Sequence, residues 1–260
     1  MCRHLAYLGP PRSLSSLLFD APHSLAQQSR APRHQREGAM NADGWGVGWW
    51  DHAVRPEPAR YRTVAPMWSD ESFLSVAALT RSGAIVAAAR NATPGSAIVV
   101  TGNAPFTADR WLFSLNGFVE HFWDGVDEEL RRTITSHRLA PIAGTADTEV
   151  LFALVLDRLD AGASPLEALD DVIATVLARS GGKLNLLLCD GHQVVATACG
   201  NSLFTRRGGG LAAGGVLVAS EPLDDDPAWV EVAQGTAVLA TSDRLDTAPL
   251  SALSRTGGTP

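Results

Sequence analysis

The chain has 260 residues, of which 45% are hydrophobic and 19% charged, a balance that supports one large domain over residues 1–260 with an ample core. Its net charge of −7 and the lack of a basic stripe oppose nucleic acid as a partner. Continuous apolar runs such as Ala84 to Ala89 and Leu186 to Cys189 fall far below the ~20 residues that cross a bilayer, so no membrane anchor is expected. The three cysteines, Cys2, Cys189 and Cys199, are odd in number and lack CxxC spacing, and no secretory signal precedes them, which suits reducing cytoplasm.

In chain order, Arg3 to Leu8 reads as a short strand stopped by Gly9-Pro10-Pro11, and Ser13 to Phe19 as a short helix or turn. From His23 to Met40 the chain is polar and basic, with Gln27, Gln28, Arg30, Arg33, His34 and Arg36, the composition of a surface loop over a site. Asn41-Ala42-Asp43-Gly44 is turn chemistry that delivers a strand at Trp45 to Trp50. Ala53 to Pro66 reads as an irregular connection and Ser69 to Ala78 as a helix. Ile85 to Ala89 and Trp111 to Leu115 read as central strands that end in polar loops, at Arg90-Asn91-Ala92-Thr93-Pro94-Gly95 and Asn116-Gly117.

Apolar residues at helical spacing predict a helix that starts at Asp147 and stops at Gly162. A second helix has the fullest local signal: Ser164 as N-cap, Pro165 behind it, Glu167 closing a capping box, and Gly181-Gly182 beyond its end. Two helices joined by so short a turn lie antiparallel as one layer against a sheet. Leu184 to Cys189 and Val194 to Cys199 form a hairpin about Asp190-Gly191. Short strands follow at Leu211 to Ala213, Val216 to Ser220 and Ala237 to Ala240, with a frayed tail from Thr241. Strands, then two helices, then strands again predict a layered α+β fold.

If Met1 is removed, Cys2 carries a thiol and its own α-amine a few atoms apart. Their ordinary pKa values, about 8.5 and about 8, make the pair a complete acid-base unit for acyl transfer near neutral pH. A thiol that attacks an amide needs donors aimed at the developing oxyanion, and Asn116-Gly117 offers a side-chain amide beside a backbone N–H. An amino acid head group needs a guanidinium for its carboxylate and a carboxylate for its ammonium, for which Arg90 and Asp147 are the candidates. No cluster has metal-ligand spacing, so neither metal nor organic cofactor is expected.

Cys2, Asn41-Ala42-Asp43-Gly44-Trp45-Gly46, Arg90 to Gly95, Asn116-Gly117 and Thr145-Ala146-Asp147-Thr148-Glu149 occur in the order and rough spacing of the class II glutamine amidotransferases, which are N-terminal-nucleophile hydrolases. The chain resembles that family from Cys2 to about Glu149, and Ala219-Ser220-Glu221-Pro222-Leu223 extends the likeness. The resemblance implies a four-layer αββα sandwich of two mainly antiparallel sheets. It also implies that Cys2 attacks a γ-glutamyl amide while its α-amine relays the proton, and that Asn116 and Gly117 form the oxyanion hole. Arg90 and Thr93 would hold the α-carboxylate, and Asp147 the α-ammonium. The chain departs from many members in having Leu115 before the Asn-Gly pair, and Asn91 and Pro94 where Trp and His are usual. Pro94 lacks an N–H, so any backbone donor there is lost to the carboxylate.

Among class II members, Pro22-His23-Ser24-Leu25, Ala31-Pro32-Arg33, Ala59-Arg60-Tyr61-Arg62, Ala104-Pro105-Phe106 and Arg110-Trp111-Leu112-Phe113 are similar to the amidohydrolases of ergothioneine biosynthesis. That likeness implies hydrolysis of γ-glutamyl-hercynylcysteine S-oxide, a small-molecule substrate, to glutamate and hercynylcysteine S-oxide. The alternatives are a glutaminase subunit that supplies ammonia to a separate synthetase and a hydrolase of another γ-glutamyl amide; a homo-oligomer is left open. Trp45, Trp49, Trp50, Trp68 and Trp111 are candidates for an aromatic wall about the trimethylammonium of the leaving portion.

Overall fold

The structure is a computed structural model and describes residues 2–35, 38–93 and 95–256. Met1, Arg36 and Pro94 lie outside the described residues, and so do the expectations placed on them. The strands fall into four runs along the chain. The first is β1 (Arg3–Ser13), β2 (Trp45–Trp49), β3 (Ala59–Thr63) and β4 (Arg81–Ala89), and the second is β5 (Phe106–Ala108), β6 (Trp111–Val119), β7 (Gly182–Cys189) and β8 (Gln193–Ala198). The third is β9 (Phe204–Arg207), β10 (Val216–Ala219) and β11 (Val230–Glu231), and the last is β12 (Thr236–Thr241) and β13 (Leu245–Pro249). The first and third runs interleave in a seven-stranded sheet, order β11-β9-β10-β1-β4-β2-β3; the second and last form a six-stranded sheet, order β13-β12-β8-β7-β6-β5.

Alternation along the strands decides what lies between the layers. On β1, Leu5 and Tyr7 face one way, with Ile85 and Ala87 of β4, and pack under the helices α1 (Leu14–Leu18), α2 (Leu25–Arg30) and α3 (Glu71–Leu79). Ala6 and Leu8 face the other way and meet Leu112, Leu187, Val194 and Val238 of the second sheet. The outer face of that sheet is covered by α4 (Val126–Arg131), α5 (Ser136–Leu139), α6 (Asp147–Asp160), α7 (Pro165–Leu177) and α8 (Ser251–Thr256). These four layers are the expected αββα sandwich. Among the described residues no helix is long and apolar enough to cross a membrane.

The locally signalled elements form where expected. Ser164 Oγ accepts from the Glu167 amide and the Glu167 carboxylate accepts from the Ser164 amide, closing the capping box of α7. α6 and α7 pack together over the sheet, and β7 and β8 pair as a hairpin.

Elements that depend on distant partners differ from the sequence reading. β1 does not stop at Leu8: β10 follows it only that far, whereas β4 continues to Ser13 after a register shift between Leu8 and Arg12. Pro10 and Pro11 sit in that shifted stretch, where a missing N–H leaves no partner strand unsatisfied on the open side. The loop from His23 holds α2, capped by Ser24, whose side chain accepts from the Gln27 amide. Ala53 to Pro66 contains β3, and α3 is capped by Asp70 rather than Ser69. Leu211 lies in a single 3₁₀ turn, while Phe204–Arg207 forms the strand in that region. The tail is not frayed where it pairs: β13 completes the second sheet, and Leu250 and Ala252 are buried beyond it.

Candidate active site

The site lies at one end of the inter-sheet layer, where the start of β1 meets the far end of β6. Continuing the alternation of β1 backwards puts Cys2 on the face of His4 and Ala6, towards the second sheet. Cys2 is half-buried and lines a narrow cleft of about 30 Å³ with Arg90, Thr93, Gly117, Asp147 and Trp123. The other two thiols are buried, and burial pushes both upwards, which keeps them protonated and unreactive. Cys2 is therefore the cysteine within reach of a substrate.

β6 runs straight through Asn116 and Gly117, which pair with Asn185 and Leu184 of β7, so the Asn-Gly pair is strand and not the turn at a strand's end. The reason is packing at Gly117. A Cβ there would stand 1.7 Å from the Lys183 carbonyl oxygen, so only glycine lets the two strands close at this point. Asn116 is fully buried; its Nδ2 donates to Ser220 Oγ at 3.2 Å, and its carbonyl accepts from Asn201 Nδ2 at 2.9 Å. Ser220 Oγ also accepts from the His4 amide at 3.0 Å, so one hydroxyl ties Asn116 to the strand that follows Cys2.

Arg90 leaves the end of β4 and is held by neutral acceptors: the Ala97 carbonyl at 3.1 Å, Ser96 Oγ at 3.2 Å and Asn103 Oδ1 at 3.5 Å. No ion pair neutralises its charge among the described residues. The loop beyond it is braced by the irregular stretch from Asn41 to Gly44. Asp43 Oδ2 accepts from the Ala92 amide at 2.8 Å, and Gly44, at φ +105, accepts from the Arg90 amide at 2.8 Å. Thr93 lies in this braced loop on the same cleft.

Asp147 is the first residue of α6, and Ala146 is its N-cap. Its carboxylate accepts from the Val119 amide at 3.1 Å and from the Thr148 amide at 2.6 Å, which pins it against the end of β6. Burial raises its carboxyl above the usual range, partly offset by these amides and by the Arg90 charge. A guanidinium and a carboxylate thus stand at one end of the cleft without pairing to each other.

No described residue lining the cleft is a histidine. His4, two residues from Cys2, is held neutral: burial, and then the charge of Arg3, push its imidazole down to about 3, with Nδ1 3.3 Å from Ser114 Oγ. Arg3 and Glu221 form a buried ion pair at 2.8 Å. Arg3 Nε donates to the Cys2 carbonyl at 2.8 Å, and the other Glu221 oxygen accepts from the Arg33 amide at 2.7 Å.

The six residues singled out from the sequence, Cys2, Arg90, Thr93, Asn116, Gly117 and Asp147, converge here, with Asn116 behind the cleft wall. Sequence reasoning missed Asn103, Asn201 and Trp123. It quoted Ser220 and Glu221 in a motif without giving them a role. Five tryptophans offered as an aromatic wall are elsewhere. Trp45 is core, ringed by Phe19, Tyr61 and Phe73; Trp50 and Trp111 are buried; and neither Trp49 nor Trp68 lines the cleft.

The profile of the family described as glutamine amidotransferases class-II matches residues 13–209. The chain belongs to this family. Among proteins of the class II family, it is similar to the gamma-glutamyl-hercynylcysteine sulfoxide hydrolase of Mycobacterium tuberculosis, at 40% identity over 94% of this chain and 98% of that one. A protein of the same description from Mycolicibacterium smegmatis is 39% identical over 89% of this chain and 92% of its own. The class II fold itself is matched by a glutamine aminotransferase class-II domain protein from Silicibacter pomeroyi, with a TM-score of 0.70 and 28% identity over 96% of this chain and 99% of that one. In this class II amidotransferase the two antiparallel sheets bring Cys2, just before β1, to the cleft.

Proposed function

We propose that this chain is an amidohydrolase that cleaves the γ-glutamyl amide of γ-glutamyl-hercynylcysteine S-oxide, releasing glutamate and hercynylcysteine S-oxide in the cytoplasm, and that residues 1–260 act as one class II amidotransferase domain. One observation carries the catalytic reading. A single cleft holds the reachable thiol, an un-neutralised guanidinium and a separate carboxylate, the arrangement a γ-glutamyl group requires. The relatives' description supports the choice of amide, and three unpaired cysteines suit a reducing compartment.

In this reading Arg90 and Thr93 hold the α-carboxylate and Asp147 the α-ammonium, which extends the γ-carbonyl to Cys2. After Met1 is removed, the free α-amine takes the thiol proton as sulfur attacks. The carbonyl π electrons move to oxygen, and Asn116 Nδ2 and the Gly117 N–H stabilise the oxyanion. Collapse breaks the C–N bond, with the α-ammonium returning the proton to the leaving nitrogen. Water, deprotonated by the same amine, then opens the thioester and releases glutamate. The neutral, buried His4 takes no part.

The test is glutamate release from γ-glutamyl-hercynylcysteine S-oxide and, separately, from glutamine, beside Cys2→Ala. We expect Cys2-dependent cleavage of the S-oxide at far higher kcat/KM than of glutamine, with no partner protein added. Preference for glutamine would make the chain an ammonia-supplying glutaminase instead, and Cys2→Ala retaining activity would remove the nucleophile.

A further inference from the structure

Apart from the Cys2 cleft there is a larger cavity of about 420 Å³, lined by Arg33, His34, Asn201, Ser202, Glu231 and Gln234 among others. We propose that this cavity receives the leaving portion of the substrate, and that Glu231 and the His34 ring on its wall hold its quaternary ammonium and set specificity for it. The proposal rests on the hydrolase reading above and names the residues that would choose among γ-glutamyl amides.

Size requires a second compartment. The cleft around Cys2, at about 30 Å³, is far too small for an imidazole and a trimethylammonium as well as the glutamyl group. Beyond the scissile amide the substrate carries a cysteine carboxylate, a sulfoxide, an imidazole and a trimethylammonium. A cavity of 420 Å³ is within the ~300–1,000 Å³ of ordinary small-molecule sites.

Two hydrogen-bonded routes link the cavity wall to the backbone of the site. Asn201, on its wall, donates to the carbonyl of Asn116 at 2.9 Å. Arg33, also on its wall, donates its amide to Glu221 at 2.7 Å; Glu221 pairs with Arg3, and Arg3 Nε donates to the Cys2 carbonyl at 2.8 Å. The cavity wall is thus one hydrogen bond from the Asn116 backbone and is joined to Cys2 through Glu221 and Arg3, while Arg90 and Asp147 line the glutamyl cleft. A γ-glutamyl amide with its head group on Arg90 and Asp147 directs its leaving nitrogen away from them.

The lining has the chemistry of a zwitterion's receptor. Glu231 of β11 pairs directly with Phe204 of β9, so their side chains share a face of the sheet. His34 packs edge-on against Phe204, with ring centroids 4.9 Å apart at 65°. A carboxylate beside aromatic rings is what a permanent cation lacking N–H donors selects, because it can be held by field and π-face alone. The Glu231 side chain has no ion-pair or hydrogen-bond partner among the described residues, so its charge is available. For the substrate's anionic groups, Arg33 stands on the same wall, its guanidinium half-exposed and 3.0 Å from the exposed Asp225. The floor is fixed: Gln234 accepts from the Gly200 amide at 2.7 Å and donates to the Asn201 carbonyl at 2.9 Å.

The experiment compares kcat/KM for γ-glutamyl-hercynylcysteine S-oxide and for γ-glutamyl-S-methylcysteine S-oxide, which keeps the scissile amide and the sulfoxide and lacks the trimethylhistidine. Glu231→Gln and His34→Ala are each measured beside the unmutated enzyme. We expect the ratio of the two efficiencies to fall about tenfold in Glu231→Gln and about threefold in His34→Ala, through KM of the full substrate. A general folding defect would lower both efficiencies and leave the ratio in place. An unchanged ratio in both variants, with the full substrate still preferred, overturns the cation site and leaves the hydrolase reading standing. No glutamate release from the S-oxide by the unmutated enzyme overturns the hydrolase reading, and the cation site with it.

Discussion

Glu221 is 1% exposed, and its two oxygens serve two donors, Arg3 Nη1 at 2.8 Å and the Arg33 amide at 2.7 Å. Glu221→Gln keeps the shape and removes the charge. Arg3, itself fully buried, becomes a cation without a counter-charge, and the new amide turns an N–H towards one of the two donors. Removing one partner of a buried ion pair costs about 3–5 kcal/mol, and a lost hydrogen bond to Arg33 adds about 1 kcal/mol. We therefore expect urea unfolding at pH 7 to show a loss of about 4–6 kcal/mol, a large part of a typical domain's stability. The same change frees the Arg3 side chain that holds the Cys2 carbonyl, and a nucleophile displaced by about 1 Å loses up to ~10²-fold in rate. Activity measured below the unfolding transition should fall mainly in kcat. The double variant Arg3→Met, Glu221→Leu should recover most of the stability, since an apolar pair replaces a desolvated ionic one, and little of the rate. A single-variant loss below about 1 kcal/mol, or equal stability of single and double variants, would refute the claim that an uncompensated buried charge is what the carboxylate prevents.

Two further predictions concern pH. Burial raises the Asp147 carboxyl, and only its ionised form attracts an ammonium, so kcat/KM should climb with pH through a limb above the ordinary carboxylate value of about 3.9. Asp147→Asn should abolish that limb and raise KM at least ~tenfold; a limb that survives the substitution assigns it to another group. His4 titrates at about 3 when folded and near 6.5 when unfolded, so the unfolded chain binds the extra proton between those values. The stability it supports is complete above about 6.5 and is lost as pH falls towards 3, up to about 5 kcal/mol at about 1.36 kcal/mol per pH unit. His4→Gln should flatten unfolding free energy between pH 6 and 4 by about one proton's slope relative to the unmutated chain, and coincident slopes would contradict a buried neutral imidazole.

Much of the site was legible from the sequence because its residues announce their chemistry locally. Cys2 was singled out by position, since an N-terminal residue would bring its own amine once Met1 is removed. The α7 capping box is closed by residues three apart and formed as read. What failed were features that depend on a partner far along the chain. Asn116-Gly117 has the composition of a turn, yet it is strand because β7, some 70 residues later, pairs with it and leaves no room for a Cβ. β13 and β3 lack a strong apolar run and form because β12 and β2 offer open edges. Trp45 looks like a ligand-binding ring in the sequence, but the layer of α1 to α3 turns it into core. Ser220, Glu221 and Asn201 reach Arg3 and Asn116 across 85 to 218 positions. By itself the sequence determined which groups could do the chemistry, because reactivity and short-range hydrogen bonding are properties of a residue and its neighbours. Only the tertiary structure decided which groups hold them in place and where the leaving portion has room, because burial, register and cavities arise when distant segments pack.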